Sequence, residues 1–199
     1  LDTTIDDIAS RRTVAVLGSG PLFDVPVESL SRTFDRVLLI DLAHLSTIDR
    51  RIDRYTNVER IWRDLAPDGA PHPLAFLRDI PELDWVISVN LLSQIGRAAP
   101  EGMERAVVDA HLDGLAMLDI PVTLITDVDY RVFDRAGTLL EETDLMHGRE
   151  LPRPETRWLW EVAPFGEEGP DTRRIHTVHA YADWHIAGRR PITPSPHLR

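Results

Sequence analysis

The chain has 199 residues, 43% of them hydrophobic, and a formal net charge of −11. That size and apolar content suit one globular domain with its own core, and the charge disfavours a general binder of nucleic-acid backbones. The absence of cysteine and lysine removes thiolate nucleophiles, disulfides, Cys-ligated metals, Schiff-base chemistry, a pyridoxal-phosphate anchor and the Walker A lysine.

Residues 5–10 read as the end of a helix, and Thr13–Leu17 as a short buried strand that runs into Gly18-Ser19-Gly20. Asp24-Val25-Pro26 reads as a helix start, because Asp can cap and Pro is tolerated in the first turn. That helix is expected to reach about Thr33. Arg36–Ile40 forms the apolar run of a parallel strand covered on both faces, and Asp41 follows it. Leu45, Ile48 and Ile52 stand at helical spacing within 45–55. Val58–Trp62 is a third strand, followed by Asp64, and Pro67 to Pro73 is a turn-rich loop. Asp84–Val89 is a fourth strand. A helix over 101–118 follows, with Met103, Val107, Ala110 and Leu115 among its apolar positions. Pro121–Thr126 reads as a fifth strand ending at Asp127, and 137–154 as loop with some helix. Arg157–Val162 and Arg174–Trp184 read as two strands joined by a Gly/Pro-rich turn, which makes them antiparallel.

Alternating strands and helices predict an α/β fold: three layers, Rossmann-like, a mostly parallel sheet ending in an antiparallel C-terminal hairpin. Residues 1–188 are expected to form a single domain, and 189–199 a Pro-rich tail. No apolar run reaches the length of a membrane span and no signal-peptide pattern is visible, so a cytoplasmic location is expected. The order strand, glycine turn, helix, strand, carboxylate points to an adenosine-containing cofactor, with the acid placed for a ribose diol.

The run Thr13 to Asp24, the acid Asp41, the acid Asp64 and the closing hairpin together resemble the class I S-adenosylmethionine-dependent methyltransferases. The resemblance spans Thr13 to Trp184 and implies S-adenosylmethionine as cofactor. It implies that Gly18, Ser19 and Gly20 pass under the methionine part, and that Asp41, with Leu42 beside it, holds the ribose. Asp64 then accepts from the adenine amino group while Leu65 offers a backbone N–H and an apolar wall. Ser88 and Asn90, near the end of the fourth strand, fall nearest the reacting methyl. The chain departs from the family at Pro21-Leu22, where a third glycine is common, and at Asn90-Leu91-Leu92-Ser93, which lacks the Asp/Asn-Pro-Pro-aromatic run of many amino-group methyltransferases. Pro21 also weakens a pyrophosphate cradle, since it has no N–H, and this argues against NAD.

Blander roles stand beside these. Asp24 serves as a helix cap, Asp127 and Asp129 as turn acids, although a parallel fifth strand brings Asp127 to the same sheet edge as the pocket. His179, Tyr181, Asp183 and His185 alternate along one strand. Their spacing of roughly 7 Å between alternate residues favours a solvated polar face of an edge strand over a shared metal, and no metal site is expected. His176 falls on the apolar face as a partly buried, hydrogen-bonded residue, and for Trp158 and Trp160, which share a face at strand spacing, core packing stands ahead of an aromatic wall of a substrate pocket. Candidate catalytic residues are Asn90, Asp127 and His147. Three functions remain open: a methyltransferase acting on a small-molecule or protein acceptor, a non-catalytic binding or scaffold domain of that fold, and an NAD-dependent oxidoreductase. Segments 91–100 and 138–157 are expected to shape an acceptor pocket.

Overall fold

The computed structural model describes residues 2–67 and 69–187; the expected tail over 189–199 lies outside them. β1 (Thr13–Leu17), β2 (Arg36–Asp41), β3 (Val58–Trp62), β4 (Leu83–Val89) and the first part of β5 (Val122–Asp134) run parallel in the order β3-β2-β1-β4-β5. β6 (Leu139–Asp144) folds back antiparallel on the second half of β5. β8 (Thr172–Tyr181) lies antiparallel on the other side of β5, and β7 (Thr156–Ala163) lies antiparallel outside β8. This is a three-layer Rossmann-like sheet, mostly parallel, with an antiparallel finish.

Alternation along each strand divides the core in two. Val14 and Val16 of β1 join Val37, Leu39, Trp85 and Ile87 on the face covered by α1 (Asp2–Asp6), α2 (Val27–Thr33) and α3 (Asp49–Ile52). Ala15 and Leu17 join Leu38, Ile40, Val86 and Leu124 on the face covered by α4 (Leu92–Ala98), α5 (Glu104–Ala116) and α6 (Trp184–Ala187). Helices on both faces account for the unbroken apolar runs of β1 and β2. Each buried Val, Leu or Ile side chain contributes about 1.5–3 kcal/mol of transfer free energy.

Strand lengths position the site. β4 pairs with β5 as far as Ile125, whereas β5 continues against β8 to Asp134. β7 pairs with β8 from Ala180 to Arg174, so it lies beside that extension. The second half of β5, with β6, β7 and the start of β8, therefore projects as a wing beyond the carboxyl ends of the parallel strands.

Several sequence expectations are corrected. The helical spacing over 45–55 gives a 3-10 turn at Ser46–Ile48 and the short α3, with Leu45 exposed. The long helix starts at Glu104, and its buried face is Val108, His111, Leu112 and Leu115, so Met103 is left outside and half exposed. Segment 91–100 is mostly α4, with Leu92 and Ile95 in the core. The fifth strand does not stop at Asp127, and part of the expected loop 137–154 is β6. β8 stops at Tyr181, and Asp183 Oδ1 accepts from the His185 N–H at the start of α6. The alternating His179–His185 face therefore does not form. β8 is also an interior strand, and Tyr181 is fully buried.

Candidate functional site

β1 delivers the chain into the glycine turn at the carboxyl edge of the sheet. Gly18 has φ +74°, and a Cβ there would stand 2.7 Å from Leu91 Cβ and 2.8 Å from the Val89 carbonyl oxygen. Glycine is required because the turn is pressed against the end of β4. Gly20, at φ +47°, is the opposite case: a Cβ would meet nothing within 4 Å, so this backbone borders open space. The Gly20 N–H donates to Asp41 Oδ2 at 2.8 Å, and the Ala43 N–H to Asp41 Oδ1 at 3.3 Å. The carboxylate at the end of β2 thus ties the turn after β1 to its own loop, and each oxygen retains a lone pair. Ser19 is buried, and its hydroxyl has no partner among the described residues.

Leu42, beside Asp41, is 68% exposed, an apolar side chain facing outward at the sheet edge. Asp64 follows β3 in an exposed position, where its Oδ1 accepts from the Ala66 N–H at 2.9 Å, and Leu65 is buried. Asn90 sits at φ +48° directly after β4, a conformation Asn tolerates better than most residues. Its Nδ2 donates to Asp24 Oδ2 at 2.9 Å. Asp24 therefore holds the loop before α2 to the end of β4; α2 has no side-chain cap, so the expected cap role is corrected. Ser88 is fully buried, and its hydroxyl pairs with His111 Nε2 at 3.0 Å. That places it on the α5 face and not with Asn90.

A cleft of about 460 Å³ opens beside the glycine turn. Leu22 to Pro26 line one side; Asn90, Ile125 and Val178 line it beside Trp158 and Trp160 of the wing. The tryptophans are 40% and 44% exposed, so they are cleft wall, not core. Arg51 reaches in from α3, donating to the Pro21 carbonyl at 3.1 Å with its guanidinium 5.9 Å from the Phe23 ring centroid.

A polar cluster lies further along the wing. Asp127 Oδ2 pairs with His176 Nδ1 at 2.7 Å, and Asp127 Oδ1 accepts from the Ser93 hydroxyl. Burial pushes the Asp127 carboxyl up, but the bonds from His176 and Ser93 outweigh it and leave it below the ordinary value. His176 is 6% exposed, and its Nε2 has no partner among the described residues. Its ring stacks on Tyr130, centroids 5.5 Å apart, and meets Trp160 edge-on at 6.4 Å. His147 lies elsewhere, in the left-handed region at φ +50° and against Gly96 of α4. His179 is driven down to about 4, chiefly by burial.

The structure brings Gly18, Gly20, Asp41, Leu42 and Asn90 to one sheet edge with Asp64 and Leu65 at the end of the neighbouring strand; of the candidate cofactor-binding and catalytic residues Asn90 is the one that also lines the cleft, and Ser88, Asp127 and His147 lie outside that lining. The pairing of Asp127 with His176 was not read from sequence. The signal is the parity of His176, Val178, Trp158 and Trp160, which face each other only once the β7–β8 register is known. Among the described residues no group of three metal-binding side chains gathers, and no helix is long and apolar enough to cross a membrane.

No family model matches the chain, and no curated protein matches it. Among solved structures it is similar to the N-methyltransferase NodS from Bradyrhizobium japonicum WM9 in complex with S-adenosyl-L-homocysteine, at 12% identity over 89% of this chain and 85% of that one, TM-score 0.42. It is similar to an rRNA methylase from Streptococcus thermophilus, at 13% identity over 89% and 93%, TM-score 0.43. A third is precorrin-6y C5,15-methyltransferase from Geobacter metallireducens GS-15, at 13% identity over 90% and 85%, TM-score 0.39. The class of fold rests on this chain's own strand order: a mostly parallel Rossmann-like sheet closed by antiparallel strands, the arrangement expected of a class I methyltransferase-like fold.

Proposed function

We propose that the chain is an S-adenosylmethionine-dependent methyltransferase that places a methyl group on an oxygen or nitrogen of a small molecule or protein side chain. The observation that carries this reading is the glycine turn after β1, open at Gly20 and tied to Asp41 at the end of β2. The residues fit the cofactor. Gly18 to Gly20 would pass under its methionine part, Asp41 would accept from ribose hydroxyls with its remaining lone pairs, and exposed Leu42 would flank the adenine. Asp64 and Leu65 would close the adenine side. Bound S-adenosylmethionine supplies an electrophilic methyl group on a sulfonium centre.

The aromatic cleft beside Asn90 orients the acceptor, and orientation alone supplies much of the rate in such a transfer. Asp127 and His176 take the acceptor's proton. Nδ1–H bonded to the Asp127 carboxylate leaves Nε2 as the basic nitrogen. That nitrogen is buried, with Tyr130 stacked on the imidazole ring and Trp160 edge-on to it, so proton transfer would require the wing aromatics to open towards the cleft. A second reading, a binding module of the same fold, is favoured by one feature: Asp41 already serves two backbone amides.

Turnover separates the two. The protein is incubated with S-adenosylmethionine carrying a labelled methyl and with small hydroxy- and amino-compounds, peptides and RNA oligomers, since an rRNA methylase is among the similar structures. Label transfer to a small molecule or a peptide is the expected result, and transfer to RNA alone overturns the proposed acceptor class. His176→Gln then lowers kcat by about 10²-fold while cofactor affinity stays within about twofold. Cofactor binding without transfer to any acceptor supports the binding module instead.

A further inference from the structure

β7 ends the sheet, hydrogen-bonded to β8 on one edge and to no other strand among the described residues. Its sequence is Thr-Arg-Trp-Leu-Trp-Glu-Val-Ala, and Thr156 to Glu161 are all exposed. Trp158, Leu159 and Trp160 are 40%, 64% and 44% exposed, so large apolar side chains stand on both faces of this edge. Edge strands are ordinarily protected by lysine, proline, inward charges or shortness. Over Thr156–Glu161 this strand has no lysine or proline, and its register on β8 runs unbroken until the shift between Glu161 and Ala163.

The strand is also self-complementary. An antiparallel pair centred on Leu159 sets Arg157 of one copy opposite Glu161 of the other, twice by symmetry. On the opposite face the same register sets Trp158 against Trp160, again twice, and Leu159 meets itself at the centre. Arg157 has no ion pair among the described residues, and Glu161 has a long one to Arg173, 3.7 Å. Opposite charges and aromatic rings directly across an antiparallel pair are the contacts that stabilise it. A two-fold interface demands a surface that complements itself.

We infer that β7 pairs with β7 of a second copy of this chain, in the register centred on Leu159, joining two sheets into one. Trp158 and Trp160 line the aromatic cleft, so the partner's tryptophans extend the cleft wall of each copy. The inference is independent of the methyltransferase reading, because it rests on the strand and not on turnover.

Charge exchange tests the register. The full chain is followed by light scattering after gel filtration and by sedimentation at increasing concentration. Arg157→Glu sets Glu against Glu161, and Glu161→Arg sets Arg against Arg157. Each single change is expected to weaken the dimer by about tenfold. The double exchange Arg157→Glu with Glu161→Arg restores opposite charges across the seam and returns the affinity to near the parent value. Circular dichroism confirms that each variant is folded. A parent chain that remains monomeric at about 100 µM overturns the inference; protected β7 amides in that monomer assign the edge to a segment of its own chain. A dimer indifferent to the single changes, or one that the double exchange fails to restore, overturns it equally.

Discussion

His111 lies wholly inside the protein on α5, its Nε2 paired with the Ser88 hydroxyl and its Nδ1 unpartnered among the described residues. Burial drives its pKa down to about 4, so the imidazole is neutral in the fold. The folded value is depressed, and the unfolded chain therefore binds the proton first. Stability is fully present above the unfolded value of about 6.5 and falls as the pH is lowered towards 4. His179, also depressed to about 4, adds to the same window. Urea unfolding between pH 7 and 4 is expected to show this loss, and His111→Gln to remove part of its slope; an unchanged slope contradicts the assignment. Residues of this kind are legible in sequence only as a histidine in a helix. Ser88 was expected near the reacting methyl because the resemblance puts the end of the fourth strand against cofactor and substrate, yet its hydroxyl is buried against His111 on the α5 face. Two residues apart share a face within β4, but Asn90 has left the strand at φ +48°, and the pairing rule ends there. The place of Asp41 at the carboxyl end of β2 was legible because a lone acid closes a continuous apolar run there.

At the scale of elements, the turn after β1 depends on contact with β4. Gly18→Ala puts a methyl against Leu91 and the Val89 carbonyl at a positive φ. We expect a loss of about 2–4 kcal/mol, read as a lower denaturant midpoint; a loss below about 0.5 kcal/mol contradicts the packing described. Gly20 has space for a side chain but keeps φ +47°. The parallel strands were legible from their continuous apolar runs, since helices cover both faces. The wing was not. Asp127 and Asp129 read as turn residues. They are half-buried positions of a strand whose neighbours are β6 and β8 and whose pattern is set by those neighbours. Trp158 and Trp160 read as core for a related reason: large aromatics imply burial, and only the open face of the wing leaves them in a cleft.

Across the whole molecule, two core clusters hold the sheet rigid while its carboxyl edge gathers the glycine turn, Asp41, Leu42, Asp64 and Asn90, with the aromatic cleft adjoining at Leu22 to Pro26. Ligands of open α/β sheets bind outside the carboxyl ends of the strands, and the wing here supplies the far wall. The net charge of −11 stands beside surface Arg–carboxylate pairs such as Arg12–Asp84 and Arg36–Glu59. The most direct measurement is calorimetric titration of the protein, and of Asp41→Ala, with S-adenosylmethionine and S-adenosylhomocysteine, with NAD as control. The account predicts binding of the sulfonium compound and its product at about micromolar concentration, no binding of NAD, and a loss of about tenfold or more on Asp41→Ala. Preference for NAD, or an affinity that Asp41→Ala leaves unchanged, contradicts it.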